Sequence, residues 1–355
     1  MTNIALQVNE YANYKKRKLY VLNFIHLFEV KDMKKKNRFL KVGFILAFLF
    51  MFGLGQSAWA ATYYSIATGS WSNAGGTVWS LSSGGAAVAA GVYPGPGDDV
   101  ILEGTFDVTL DLDITVNSVT VNGTTADLII GGNTLTTTGN LTVNNTGVGG
   151  INASTADSEV IVGGNLSITA AAASVNNFTD AILNISGNLS LAGAGASVNT
   201  ISGADITLNG TFTIAGAATL VENLTTNLTL TGMTNVTLPA LLTQLNKLTI
   251  NKTVPGSVTA STANLEVDTM IVTSGRFNMD AAGADLNIND LFTLANSSDA
   301  EFNSNAGAGP FVIEQHATFG DDGVFTFSAS TALNIGTGGS GTTDITLPAD
   351  LTNVL

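Results

Sequence analysis

The 355-residue chain contains no cysteine. Disulfide bonds, thiolate metal sites and cysteine nucleophiles are therefore excluded. The stability of the folded chain has to come from packing and hydrogen bonding, without a covalent cross-link.

Basic residues are also scarce beyond the first sixty positions. Ten of the 13 lysines and arginines lie at or before Lys41, and only Lys247, Lys252 and Arg276 lie beyond residue 60. Residues 61–355 carry 24 acidic side chains, so their net charge is −21, against −14 for the whole chain. A surface of this sign repels phosphate backbones and anionic membranes, which excludes nucleic acid as a partner.

A signal peptide is predicted at residues 33–60. It has a basic start, an apolar run over residues 42–54, and the small-x-small cleavage pattern Ala58-Trp59-Ala60. The apolar run is shorter than the ~20 residues of a membrane span, so we expect cleavage before Ala61 rather than an uncleaved anchor. The predicted location is secreted or cell-surface, with no membrane span in the mature chain.

Residues 1–32 precede the point at which a signal peptide begins a protein. Either translation starts at Met33 and this segment is a misassigned start, or the segment is a translated cytoplasmic extension of mixed basic and apolar residues. The fold prediction omits the segment in both cases.

No stretch after residue 60 has the i, i+3, i+4 apolar spacing of a helix; apolar and polar residues alternate instead. Pairs of alternating segments recur every 23 residues, separated by glycine and asparagine, which accept a positive φ. We expect tight corners at 163–165, 186–188, 209–211 and 289–290. The apolar pairs are Val160/Val162 with Leu166/Ile168, Leu183/Ile185 with Leu189/Leu191, Ile206/Leu208 with Phe212/Ile214, and Leu286/Ile288 with Phe292/Leu294.

The repeat length favours a coil. A propeller blade needs about 40–45 residues. Six buried apolar side chains contribute about 9–18 kcal/mol, whereas ordering 23 residues costs roughly 23–46 kcal/mol, so one turn is unstable until turns stack. The sequence therefore predicts an all-β protein, a right-handed parallel β-helix (solenoid) with rungs of about 23 residues, a rung being one turn of the coil.

The mature chain has two predicted parts. Tyrosine and tryptophan do not occur after Tyr93, so residues 61–106 are predicted to form an aromatic N-terminal cap over the strand edges of the coil. Residues 107–355 are predicted to form the repeats. Residues 234–240 recur as 343–349, and the second copy stops at Leu355, which suggests repeats truncated at the C-terminus.

The cap segments and repeat units resemble a known group of proteins. Ala67-Thr68-Gly69-Ser70-Trp71-Ser72, Thr77-Val78-Trp79-Ser80 and Pro94-Gly95-Pro96-Gly97-Asp98-Asp99-Val100 resemble the start of large secreted bacterial parallel β-helix repeat proteins, including the extracellular eight-glycine domain. The Leu-Thr-Ile and Thr-Leu-Pro-Ala units resemble repeats of giant cell-surface proteins exported by the type IX route. The resemblance spans roughly residues 60–355 and implies a surface-exposed β-helix. The C-terminal sorting domain of such proteins does not occur in the sequence, which leaves the export route open.

No constellation for polysaccharide cleavage is evident. Elimination needs a base near a cation-activated proton, and the three basic residues are not clustered in the sequence. Hydrolysis needs two carboxyl groups about 5–9.5 Å apart, but Asp98-Asp99 and Asp321-Asp322 lie in glycine-containing turns. His316 lacks a second histidine or a cysteine for zinc. We predict no catalytic residue and no cofactor other than calcium.

Calcium has one weak candidate site. Asp107, Asp111 and Asp113 recur at even spacing, which predicts that they share one face of an extended strand. Carboxylates on neighbouring rungs could there provide the oxygen ligands that calcium prefers.

Carbohydrate also has one weak candidate site. Trp71, Trp79 and Tyr93 could stack on a sugar ring. Large aromatic rings equally suit a hydrophobic cap, and we expect the cap.

These observations predict a non-catalytic extracellular or cell-surface structural or adhesive repeat protein. Its expected partners are cell-surface or extracellular glycans, and the sequence leaves the oligomeric state open. The alternative is a carbohydrate-binding or polysaccharide-degrading β-helix protein, which would need acids, bases and aromatic rings clustered on one exposed face.

Overall fold

A computed structural model describes residues 60–169, 174–194, 197–260, 264–279, 284–304, 308–327, 333–336 and 344–346. The predicted signal peptide and the upstream segment lie outside these residues, apart from Ala60. The strands, in chain order, are β1 (Thr62–Ser65), β2 (Gly69–Ser70), β3 (Trp79–Ser80), β4 (Asp99–Gly104), β5 (Val108–Thr109), β6 (Ile114–Val116), β7 (Ser118–Gly123), β8 (Leu128–Ile129), β9 (Thr134–Thr137), β10 (Leu141–Val143), β11 (Ile151–Asn152), β12 (Glu159–Val162), β13 (Leu166–Ile168), β14 (Val175–Asn177), β15 (Ile182–Ile185), β16 (Leu189–Gly193), β17 (Val198–Thr200), β18 (Asp205–Leu208), β19 (Phe212–Gly216), β20 (Thr219–Val221), β21 (Asn227–Gly232), β22 (Val236–Leu238), β23 (Gln244–Lys252), β24 (Ser257–Ala260), β25 (Leu265–Met279), β26 (Leu286–Leu294), β27 (Ala300–Ser304), β28 (Phe311–Ile313), β29 (His316–Phe319), β30 (Val324–Phe327), β31 (Leu333–Ile335) and β32 (Asp344–Thr346).

These strands build a parallel β-helix, as the repeat length predicts. Each early rung contributes one strand to each of three sheets. Sheet A has the order β3-β1-β4-β7-β10-β13-β16-β19, and sheet B has the order β2-β5-β8-β11-β14-β17-β20. Sheet C runs through β6, β9, β12, β15, β18, β21, β23, β25 and β26. No described residue belongs to a helix long and apolar enough to cross a membrane.

The repeats stack in register. Val160 lies beside Leu183, and Leu183 lies beside Ile206, a step of 23 residues each time. Leu189 lies beside Phe212 on the neighbouring strand, and both side chains are buried. The predicted inward positions are therefore confirmed: alternate residues of each strand form one continuous apolar core.

The predicted corners at 163–165, 186–188 and 209–211 are confirmed. A Cβ atom added to Gly187 would lie 2.4 Å from the carbonyl oxygen of Gly164, so these glycines allow the rungs to approach closely. Asn165 Oδ1 accepts a hydrogen bond from the backbone N–H of Asn188 on the next rung (2.8 Å). The corner asparagines Asn140 and Asn188 make the same kind of bond to the rung that follows each of them.

The corner predicted at 289–290 is wrong. Residues 286–294 form one continuous strand, β26, which pairs with β25 in sheet C through a register shift between Val267 and Thr269. Glycine is absent from Asn289-Asp290, and the extra residue is absorbed as a bulge. The fifteen-residue strand β25 reaches from sheet C into a fourth sheet, D, formed by β22, β24, β25, β27 and β30.

The first rung carries the cap. β1 and β2 already pair in parallel with β4 and β5, so the coil begins at Thr62. β3 pairs antiparallel with β1 and covers that edge of sheet A. The residues between β2 and β4 hold the buried rings of Trp71 and Trp79.

Candidate functional surface

The aromatic residues of the cap lie inside the protein. Trp71 and Trp79 have no exposed surface, and their rings meet edge to face with centroids 5.0 Å apart. Trp71 Nε1 donates a hydrogen bond to the Pro94 carbonyl (3.2 Å), and Trp79 Nε1 donates one to the Trp71 carbonyl (2.8 Å). Tyr93 is half-buried against the same core. The two tryptophans therefore have no free face on which a sugar could stack, and they act as the cap.

The three candidate calcium ligands do not share one strand face. β5 ends at Thr109 and the chain turns before β6. Asp111 binds the backbone N–H of Ser72 (2.9 Å), and Asp113 accepts a bond from the N–H of Thr134 (2.8 Å). Each carboxylate thus bonds to a neighbouring rung, and no group of three or more acidic or histidine side chains among the described residues is placed to hold a metal ion.

Asp107 belongs to a separate pair of stacked carboxylates. Its Oδ1 accepts a hydrogen bond from the N–H of Asp127 (3.1 Å), and Asp127 Oδ1 accepts one from the N–H of Gly150 (2.7 Å). Burial raises the pKa of Asp127, and the nearby charge of Asp107 raises it further. The pair links three successive rungs through side-chain acceptors.

The adjacent acidic pairs also serve the backbone. Asp98 Oδ2 accepts a hydrogen bond from the N–H of Gly95 (2.9 Å), which closes the turn. Asp99 Oδ1 accepts bonds from Asn117 Nδ2 (2.8 Å) and from the hydroxyl of Ser118. Asp321 and Asp322 are exposed in the turn before β30.

The basic residues and the histidine lie apart from these carboxylates. Lys247 is exposed on β23, and Arg276 on β25 forms an ion pair with Glu301 (2.6 Å). Lys252 is fully buried and donates to the carbonyl of Thr231, and burial lowers its pKa. His316 lies half-buried in β29.

Sequence reasoning missed a polar cluster at the bulge of β26. Asn289 Nδ2 donates to Glu266 Oε1 (2.9 Å) and to Asp268 Oδ1 (2.8 Å). Asn287 Nδ2 donates weakly to Glu314 Oε1 (3.4 Å). An amide group therefore lies between the two carboxylates of the preceding rung. The available signal was the pair of asparagines where a corner glycine was expected.

Sequence reasoning also missed a ladder of buried asparagines. Asn176 and Asn199 occupy equivalent inward positions of β14 and β17 and are fully buried. Asn176 Nδ2 donates to Asn199 Oδ1 (3.1 Å), and Asn176 Oδ1 accepts from the N–H of Ile151 (3.2 Å). Their 23-residue spacing was the signal, because it equals the repeat.

The longest regular surface feature is an outward column on sheet C. Ten successive rungs place one residue at the same outward position, seven of these residues are threonine, and each is partly exposed. Adjacent strands of a sheet lie ~4.8 Å apart, so the column presents polar groups at that interval. We call it the threonine column; its members are Thr115, Thr136, Ile161, Asn184, Thr207, Thr229, Thr249, Ile271, Thr293 and Thr318.

Comparisons with known proteins were made at three levels. No family model matches the chain, and neither a curated protein nor a solved structure matches it.

Proposed function

We propose that the protein is an exported, non-catalytic scaffold, secreted or held at the cell surface, that adheres to extracellular glycans through the threonine column. The observation that carries this proposal is the use of the polar side chains. The candidate ligands Asp107, Asp111 and Asp113 accept hydrogen bonds from neighbouring rungs, as the corner asparagines do. Such bonds suit a rod that holds its shape without cysteine.

The start of the coil supports export. β1 begins at Thr62, two residues after the small-x-small pattern Ala58-Trp59-Ala60. A peptidase cutting before Ala61 would remove the leader and leave the first rung intact. The likeness of the cap segments to large secreted β-helix repeat proteins favours the same interpretation.

The threonine column supports adhesion. Its hydroxyl and amide groups repeat every ~4.8 Å along a sheet, and a repetitive polymer can meet many such groups at once. Individual contacts of this kind are weak, but their number makes the combined attachment strong. A glycan chain has the matching abundance of hydroxyl groups.

Export is tested by expressing the gene from Met33 and from Met1 and determining the N-terminus of the secreted product by mass spectrometry. We expect Ala61 as the first residue from both starts. A secreted product that begins upstream of Met33, or retention of the whole chain in the cytoplasm, would contradict the proposal.

Adhesion is tested by retention of the secreted protein on insoluble cellulose, chitin and alginate. We expect retention on at least one glycan, and a loss of at least tenfold in the variant Thr207→Lys/Thr229→Lys. The matched control is Thr142→Lys/Ser190→Lys, which adds the same charge to outward positions of sheet A. Retention on none of the three, or equal losses in both variants, would refute adhesion by this face.

A further inference from the structure

The backbone nitrogen of Ala61 lies against a carboxylate. It donates a hydrogen bond to Asp98 Oδ1 (2.9 Å), while the other oxygen of Asp98 accepts one from the N–H of Gly95 (2.9 Å). The carboxylate is therefore oriented by the turn and directed at the first residue of the predicted mature chain.

Asp98 is held in this position by its own backbone. Its N–H donates to the Gly95 carbonyl (3.0 Å), and its carbonyl accepts from the N–H of Asn117 on the next rung (2.7 Å). The neighbouring N–H of Asp99 donates to the carbonyl of Ala61 (2.8 Å). These bonds fix Ala61 and Asp98 relative to each other, whatever precedes Ala61 in the chain.

We propose that proteolytic cleavage before Ala61 creates an ion pair between the new α-ammonium group and the Asp98 carboxylate, and that this pair locks the first rung of the coil. The inference rests on the export proposed above. Hydrolysis adds water across the Ala60–Ala61 amide and leaves a carboxyl group on Ala60 and an amine on Ala61. The amine is protonated near neutral pH, since an α-amine has an ordinary pKa of about 7.7–8.0.

The charged surroundings favour the pair. Asp98 forms no ion pair with a lysine or arginine among the described residues, and the three basic residues beyond position 60 lie on β23 and β25. The other titratable groups nearby are Asp99, which is occupied by Asn117 and Ser118, and the phenol of Tyr63. Burial raises the pKa of Tyr63, and the charge of Asp98 raises it further, so this phenol stays neutral and leaves the ammonium as the partner for Asp98.

The pair has a defined pH range. An ammonium group beside a carboxylate loses its proton at a higher pH than a free amine. The stabilisation is therefore fully present below the pKa of a free α-amine, about 8, and is lost as the pH rises through the pKa of the paired amine.

The test cleaves the full chain in vitro. A specific protease site placed directly before Ala61 leaves Ala61 as the first residue after cutting, with the chain through Leu355 intact. The α-amine is then acylated over a range of pH to obtain its pKa, and the unfolding midpoint is measured before and after cutting. The variants are Asp98→Asn, which keeps a hydrogen-bond acceptor without the charge, and the control Asp111→Asn, whose carboxylate binds Ser72 instead.

We expect acylation at pH 7–8 to be about tenfold slower with Asp98 present than in Asp98→Asn, a pKa difference of about one unit. Cutting should raise the unfolding midpoint of the unsubstituted chain and of Asp111→Asn, but not that of Asp98→Asn. Equal acylation rates in the unsubstituted chain and in Asp98→Asn would overturn the ion pair alone. A secreted product that begins at a residue other than Ala61 would overturn both the cleavage assignment and this inference.

Discussion

Replacing Asn176 with alanine is expected to destabilise the coil more than the same replacement of Asn199. Both side chains are fully buried at equivalent positions of adjacent rungs, so the cavity terms are alike. Without Asn176, the N–H of Ile151 and the Oδ1 of Asn199 lose their partners inside the protein. At about 1–3 kcal/mol for each buried group left unpaired, these losses amount to roughly 2–6 kcal/mol.

The Asn199→Ala variant loses less. The amide of Asn176 keeps the hydroxyl of Ser174 as an acceptor (3.2 Å). The second partner of Asn199 is the carbonyl of Thr219, an exposed residue that water can reach. We expect about 1–2 kcal/mol from the lost bonds, since a typical net hydrogen bond contributes about 1 kcal/mol.

The measurements are urea unfolding and hydrogen exchange at single amides. The Ile151 amide should lose its protection in Asn176→Ala and keep it in Asn199→Ala. The exposed corner variant Asn188→Ala is the control, and should cost less than about 1 kcal/mol because water replaces its bond to Thr211. Equal destabilisation by the two buried substitutions, or a larger effect at Asn199, would refute this account of the ladder.

Three further predictions concern the core and the acidic turn. Leu189→Asp should cost more than about 4 kcal/mol, because a charge is placed in the apolar stack beside Phe212; a urea midpoint close to that of the unsubstituted chain would contradict it. Burial makes folded Lys252 release its proton at a lower pH than the unfolded chain does, so stability should rise with pH up to the ordinary lysine pKa of about 10.5. Lys252→Met should remove that pH dependence in thermal unfolding curves, and an unchanged dependence would disprove it. The purified protein should not cleave pectin or alginate in the presence of calcium; turnover that disappears in Asp321→Asn or Asp322→Asn would overturn the non-catalytic proposal.

Much of the fold could be predicted from the sequence because inward and outward residues alternate at a constant repeat. The spacing of Leu189 and Phe212 was enough to place both in one stack. The corner predicted at 289–290 failed because its residue types fit a bulge as well as a turn, and the choice depends on β25, the neighbouring strand.

The polar groups were harder to predict, for two reasons. Asn176 and Asn199 lie inward although an asparagine in an alternating strand normally faces solvent. Asp111 binds Ser72, a residue 39 positions earlier in the chain, and only the stacking of rungs reveals such a partner. The sequence pattern therefore gave the core, whereas the use of each carboxylate depends on contacts between rungs.

The parallel pairing of successive rungs has a mechanical consequence. Backbone hydrogen bonds between rungs run along the axis of the coil, so a pull on its ends opens one rung at a time rather than the whole core at once. Each released rung of 23 residues extends to about 76–83 Å, in exchange for the ~4.8 Å that it occupied when stacked. A protein tethered between two surfaces would thereby lengthen more than tenfold in small steps, and absorb a sudden load before its attachment breaks.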